Sequence, residues 1–195
     1  MRKLMGLFVA SACCSVAFGG VTFAACQENE KPNTNVTTVS EAEWEDALAL
    51  ENFTASGFLT ENGEQEPVIF KGTATAYYSE NDGYTSWCVK RTDGWYMYAG
   101  ESTDGQLVEG FTSAVGSVLR SFHLPDFSAW DYAETQKAYV CVNADYPESY
   151  YRFSAYFKGG KLVKFESQNV SEEITYSFDF SGYGTTVLEL PEYLR

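Results

Sequence analysis

The sequence predicts an α+β fold: a strongly curved antiparallel sheet, with a short N-terminal helix and a central amphipathic helix against its concave face. Three observations carry that expectation. From Phe53 onward most of the chain alternates apolar and polar residues with period two, as half-buried strands do. Asn62-Gly63, Asn81-Asp82-Gly83, Asp93-Gly94, Asp104-Gly105 and Gly159-Gly160 punctuate the alternation with residues suited to hairpin turns. One stretch breaks the pattern. Phe111, Ala114, Val115, Val118, Leu119 and Phe122 fall at helical spacing and form a single apolar stripe. A lone helix with such a stripe, between two blocks of strands, is most economically the filler of the sheet's inner face.

Taken in order, the chain opens on an export signal. Met1 to Lys3 is a short basic start, and Leu4 to Phe23 is apolar or small throughout. The segment closes on Thr22-Phe23-Ala24-Ala25-Cys26, followed at once by the polar Gln27-Glu28-Asn29-Glu30-Lys31-Pro32. Two small residues directly before a cysteine resemble the lipobox of bacterial lipoproteins, with Phe23 standing where leucine is usual. The resemblance implies that residues 1–25 are a signal peptide and that Cys26 becomes the lipidated first residue. It further implies that Cys26 holds the protein at the outer face of the cytoplasmic membrane. Two alternatives stay open: Ala10-Ser11-Ala12-Cys13 is also lipobox-like, and Leu4 to Cys26 is about long enough to span a bilayer uncleaved. Cutting at Cys13 would leave an apolar tail on the mature chain, which favours Cys26. Residues 26–39 then comprise the lipidated cysteine and a flexible tether, polar and without periodicity. At full extension the tether reaches roughly 40 Å.

Residues 40–195 read as one domain. Ser40-Glu41-Ala42-Glu43 is a capping box, with Val39 and Trp44 placed for a hydrophobic staple, and a short helix follows that buries Trp44, Ala47 and Leu48. Phe53, Ala55, Gly57 and Leu59 share a strand face, and Val68, Phe70, Gly72, Ala74 and Ala76 share the next. Tyr84 to Arg91, with Trp87 and Val89 on one face, and Trp95 to Tyr98 complete a first meander. The central helix runs over Phe111 to Phe122 and stops before Pro125. A second meander spans Ala138 to Asn143, Tyr150 to Lys158, Leu162 to Ser167 and Glu173 to Phe180. In it Tyr151, Phe153, Ala155 and Phe157 align on one face, as do Ile174, Tyr176, Phe178 and Phe180.

Charge narrows the function classes. The chain carries 27 acidic and 13 basic residues, and loss of Arg2 and Lys3 with the leader moves its net charge from −14 to −16. Nucleic-acid binding needs clustered Lys and Arg to displace counterions, so it is excluded as an expectation. The single His123 reads as structural, because a nucleophilic triad needs groups that the sequence does not assemble. Cys88 and Cys141 fall on what reads as the polar side of their strands, and either a disulfide or two separate thiols is open to them. Two cysteines without nearby histidines make a poor zinc site. Glu61, Glu64 and Glu66, like Glu80 and Asp82, lie in turn regions without the spacing of a calcium loop. No catalytic residue, metal or cofactor is expected.

The order of short helix, meander, amphipathic helix and second meander closes on Phe178-Asp179-Phe180-Ser181-Gly182-Tyr183-Gly184-Thr185-Thr186 and then Leu190-Pro191. This layout resembles the half-barrel lipoproteins related to LolA and LppX, over about residues 40–193. The resemblance implies a carrier that holds acyl chains between a curved sheet and its helices, without catalytic residues. In such a protein the Asn-X-Thr/Ser triplets at Asn35, Asn52 and Asn169 are chance matches. The expected lining of an apolar cavity is Phe53, Leu59, Phe70, Trp87, Val89, Phe111, Val115, Val118, Phe153, Phe157, Ile174 and Phe178. Those side chains would equally make a closed, dry core. The expected function is therefore lipid or hydrophobic-ligand binding by a membrane-tethered protein. The alternative is a ligand-free module that contacts protein or glycan through exposed Tyr77, Tyr96, Tyr98 and Tyr156.

Overall fold

Ser40 starts the fold by reciprocal capping. Its hydroxyl accepts from the Glu43 amide at 3.4 Å, and Glu43 Oε2 accepts from the Ser40 amide at 2.8 Å. Helix α1 (Glu41–Ala49) follows, with Trp44 and Ala47 buried and the Glu41, Glu45 and Asp46 face exposed. Val39 is fixed from a distance: Tyr139 Oη donates to its carbonyl and accepts from its amide, both at 2.7 Å. The computed structural model describes residues 38–143, 151–169 and 172–195. Cys13, Cys26, the leader and the tether up to residue 37 lie outside the described residues.

The remainder is one open, curved antiparallel sheet. Its strands are β1 (Phe53–Glu61), β2 (Glu64–Gly72), β3 (Ala76–Asn81), β4 (Tyr84–Arg91), β5 (Gly94–Ala99), β6 (Gln106–Leu107), β7 (Asp131–Ala133), β8 (Ala138–Asn143), β9 (Tyr151–Lys158), β10 (Lys161–Asn169) and β11 (Ile174–Ser181). They lie in the order β6-β5-β4-β3-β2-β1-β11-β10-β9-β8-β7. Each meander therefore grows outward from the middle, where β1 meets β11 from Thr54 opposite Ser181 to Thr60 opposite Thr175. The connection from β6 to β7 has to travel from one edge of the sheet to the other. It does so across the concave face, where Phe111, Val115, Val118 and Leu119 join Phe53, Phe153, Phe157, Phe165 and Phe178 in one core. No described helix is long and apolar enough to cross a membrane.

Two local expectations change. The stripe from Phe111 to Phe122 is buried or half-buried as expected, but only Val115–Leu119 forms an α-helix, α2, followed by a single 3-10 turn over Arg120–Phe122. Ala114 offers no capping side chain, and the Val115 amide goes to the Leu50 carbonyl at 2.9 Å instead of into a preceding helical turn. Tertiary contact thus replaces the first half of the helix. The second change is that the run from Val68 to Ala76 is broken. Thr73 turns the chain by donating its amide to Ala76 O at 2.8 Å and accepting the Ala76 amide on its hydroxyl at 3.1 Å.

The opposite face of the sheet carries a second, smaller core. After Ser181 the chain turns over this face, held by Asn52, whose side chain donates to Thr186 O at 3.0 Å and accepts its amide at 2.8 Å. Leu194, in a last 3-10 turn, buries against Val89 and Tyr98 with Trp87, Tyr96 and Leu190 around it, and Arg91 Nη2 donates to its carbonyl at 2.7 Å.

Candidate functional site

The concave face is the candidate, and its two ends are built differently. At one end Phe53, Val115 and Ala114 are buried, and Gly72 exists because nothing larger fits. A Cβ there would lie 2.3 Å from Ser113 O and 2.6 Å from Phe53 Cε1. The two helices close over this end together, where a Cβ on Gly116 would stand 3.3 Å from the Leu48 carbonyl. From there aromatic rings touch in series along the face. Trp95, Phe111, Tyr77, Phe70, Phe178, Phe122, Phe165, Phe153, Trp130 and Trp44 follow one another at centroid spacings of 4.8 to 6.2 Å.

At the other end, by the β1–β2 hairpin, the apolar lining comes to the surface. Leu59, Tyr151, Tyr176 and Phe122 are only half-buried there, and the cover is the single turn that carries Phe122. Phe122 rests edge-on against Tyr176 at 5.1 Å. Next to them lies a small cavity of about 90 Å³ lined by Leu59, Glu61, Asn62, Glu64 and Glu66. These acids are not in turns, as the sequence suggested, but on paired strand ends. Asn62 and Gly63 take positive φ in a two-residue turn, which sets Glu61 opposite Glu64 and Leu59 opposite Glu66. Like charges directly opposite each other are unfavourable. The ion pairs among the described residues, Lys137–Glu134 and Lys164–Glu166, relieve none of the three. Burial first, then the neighbouring Tyr151 phenol and the Glu61 and Glu66 carboxylates, push the Tyr176 phenol up.

The strand row that starts at Glu66 continues through Leu59 and Tyr176 to Ser167 and Phe153. Ser167 is fully buried and its hydroxyl has no hydrogen-bond partner, as is true of Ser113 at the closed end; Asn81 Oδ1 is also buried and unbonded. Such a group costs about 1–3 kcal/mol unless something satisfies it.

Of the expected lining, Phe53, Phe111, Val115, Val118, Phe153, Phe157 and Phe178 are buried together on the concave face, and Leu59 and Phe70 pack against them half-buried. Ile174, opposite Asn169 at the strand end, is half-buried. Trp87 and Val89 are corrections: they lie on the opposite face, beneath the C-terminal turn, while Cys88 between them faces the main core. The cysteines are corrections too. Neither lies on a polar side: both are buried in the main core, where Tyr139 and Cys141 take the inner phase of β8 and leave Val142 46% exposed, and of the two states left open they are free thiols. Six strands separate β4 from β8 in the sheet order. Burial pushes the Cys88 thiol up to about 12. Of the tyrosines expected on the surface, Tyr77 and Tyr98 are buried, and Tyr96 and Tyr156 are half-exposed. Sequence reasoning left out Phe165, Tyr176 and Ser167 from the site. Period-two phasing already aligns Tyr176 with Phe178 on one strand face, and only the lining omits it, whereas the bulge between Leu162 and Lys164 shifts the phase of β10 and hides the other two.

Among the described residues no three His, Cys, Asp or Glu side chains could hold a metal ion. No protein-family model matches the chain, and no curated protein does.

Proposed function

We propose that this chain is an exported bacterial lipoprotein, tethered through Cys26, whose curved sheet works as a half-barrel that binds a lipid or other hydrophobic ligand on its concave face. The observation that carries the reading is the contrast along that face. Where both helices cover it, the lining is sealed. At the hairpin end, half-buried Leu59, Tyr151, Tyr176 and Phe122 lie under one 3-10 turn. A partly exposed apolar lining that continues an interior is what a ligand site needs. The order of elements, with a filler segment crossing between two meanders, fits the LolA- and LppX-like layout. Export and anchoring are supported by the leader and the Ala24-Ala25-Cys26 sequence.

One observation favours the alternative of a closed interaction module. The unbroken ring series leaves the middle of the face filled, so a ligand has to displace the Phe122 turn to go deeper than Tyr176. Native mass spectrometry of residues 27–195, purified from the source organism, separates the two. Without Cys26, any lipid detected is bound rather than attached. A discrete adduct of lipid mass supports the carrier. A clean apoprotein mass, repeated after incubation with total membrane lipid, supports the closed module.

A further inference from the structure

We infer that Phe122 is a built-in plug: residues 120–124 form a flap that lifts, and the alkyl tail of a ligand entering at the hairpin end takes the place of the Phe122 ring against Phe165, Tyr176 and Phe178. This rests on the hydrophobic-ligand reading and adds to it the contact that closes the site when it is empty.

The flap is defined by what is fixed on either side of it. Before it, Val118 and Leu119 are buried, and α2 is pinned through the Val115 amide to the Leu50 carbonyl at 2.9 Å. After it, the Pro125 carbonyl accepts from Trp130 Nε1 at 3.2 Å, and Trp130 is itself buried against Trp44 and Phe153. Between these anchors Arg120, Ser121 and His123 are exposed, while Phe122 and Leu124 are half-buried against the core. The segment can therefore swing without disturbing either end.

Its closed form runs against backbone preference. Phe122 ends a single 3-10 turn, whose hydrogen-bond geometry is poorer than that of an α-helix. The next residue, His123, stands at φ 47° and ψ 55°, in the left-handed region that residues with a Cβ seldom adopt. Ring contact offsets this: the Phe122 centroid lies 5.4 Å from Phe165, 5.1 Å from Tyr176 and 6.2 Å from Phe178. Phe165 and Phe178 are buried, so a departing ring has to be replaced by something equally apolar. Half-buried Leu59, paired with Tyr176 across β1 and β11, borders the same nest and leads a tail to it from the hairpin end.

The consequence is a sign. A plug competes with the tail, whereas a wall residue contributes contact to it. Where the ring must leave first, the apparent affinity is the intrinsic one scaled by the fraction of molecules whose flap is open. Removing the ring then tightens binding even though it deletes apolar surface.

Titration calorimetry of residues 27–195, which contain every described element, reads that sign with n-decyl β-maltoside kept below its micelle-forming concentration. Phe122→Ala should bind about tenfold more tightly than the native chain. Phe58→Ala, which removes the same side chain from the outer face of β1, should bind as the native chain does. His123→Pro keeps the ring but forbids a positive φ, removes the amide that donates to the Arg120 carbonyl at 3.2 Å and disfavours the helical backbone of Phe122, so it should tighten binding several-fold. Lys137→Pro, the same backbone change at another exposed residue of positive φ, between β7 and β8, should not. The two proline variants decide on their own should Phe122→Ala fail to fold. Weaker or unchanged binding by Phe122→Ala, or equal gains for the two proline variants, overturns the plug while leaving a hydrophobic-ligand site in place. If neither the native chain nor any variant binds, the hydrophobic-ligand reading itself fails.

Discussion

At the Gly72 end of the concave face there is no room for a methyl group, and at the Glu61–Glu66 end there is a cavity walled by unpaired like charges. Both ends are made by β1, β2 and their neighbours, with the same alternation of residues. What differs is the cover. Two helices and the Phe111 loop press on one end, while a single 3-10 turn reaches the other. Strand periodicity therefore decides which side chains face inward. The segments lying over the sheet decide whether that interior is a core or a site.

The comparison is most sharply broken by deleting a ring at each end. Phe157, fully buried against Trp44 and Tyr139, should cost about 3–5 kcal/mol when replaced by alanine, read from urea unfolding. Phe122→Ala, at a half-buried position, should cost about half of that or less. Equal losses would mean that the two ends are equally packed. Gly72→Ala adds a methyl against the Ser113 carbonyl and the Phe53 ring and should destabilise by about 1–3 kcal/mol. A neutral Gly72→Ala would show that the sealed end yields.

Cys88 tests the seal by pH. Its thiol is raised in the folded state from 9.0 to about 12, so the folded protein keeps the proton where the unfolded chain loses it. Stability from this group is fully present below pH 9 and declines as pH rises from about 9 toward 12. A Cys88→Ala variant should lose part of that decline, and native Cys88 should react with thiol reagents only on unfolding. Rapid labelling at neutral pH would mean that the core is open near β4. The smallest effect belongs to the open end. Glu64→Gln removes one of two facing like charges and should stabilise by about 0.2–1 kcal/mol in low salt, with the gain fading as salt is added. A loss instead would show that the carboxylates are already engaged.

Much of this was legible in the residues. The Ser40–Glu43 box, the two meanders and the buried stripe from Phe111 to Phe122 are local patterns with local causes. The misread features were decided by tertiary structure. Helix α2 is short because Leu50 takes the Val115 amide, a contact across sixty-five positions of sequence that no local pattern announces. Trp87 and Val89 were placed on the wrong face because β4 is covered on both sides, and alternation does not say which side is inward. Val142 and Cys141 exchanged places for a similar reason, the smaller, softer residue facing the core. The acidic mouth was hidden because Glu61 and Glu64 flank a turn and look solvated until register sets them opposite each other.

The central claim is that a hydrophobic ligand occupies the concave face from the hairpin end, and photolabelling tests it most directly. A fatty alcohol carrying a diazirine near the end of its tail would be bound to residues 27–195, irradiated, and the modified peptides mapped by mass spectrometry. The account predicts labels on the segments containing Phe122, Phe165 and Tyr176, reduced by an excess of the unlabelled fatty alcohol. Labels confined to exposed apolar residues elsewhere, such as Val187 on the C-terminal segment or Phe58 on the outer face of β1, would contradict it.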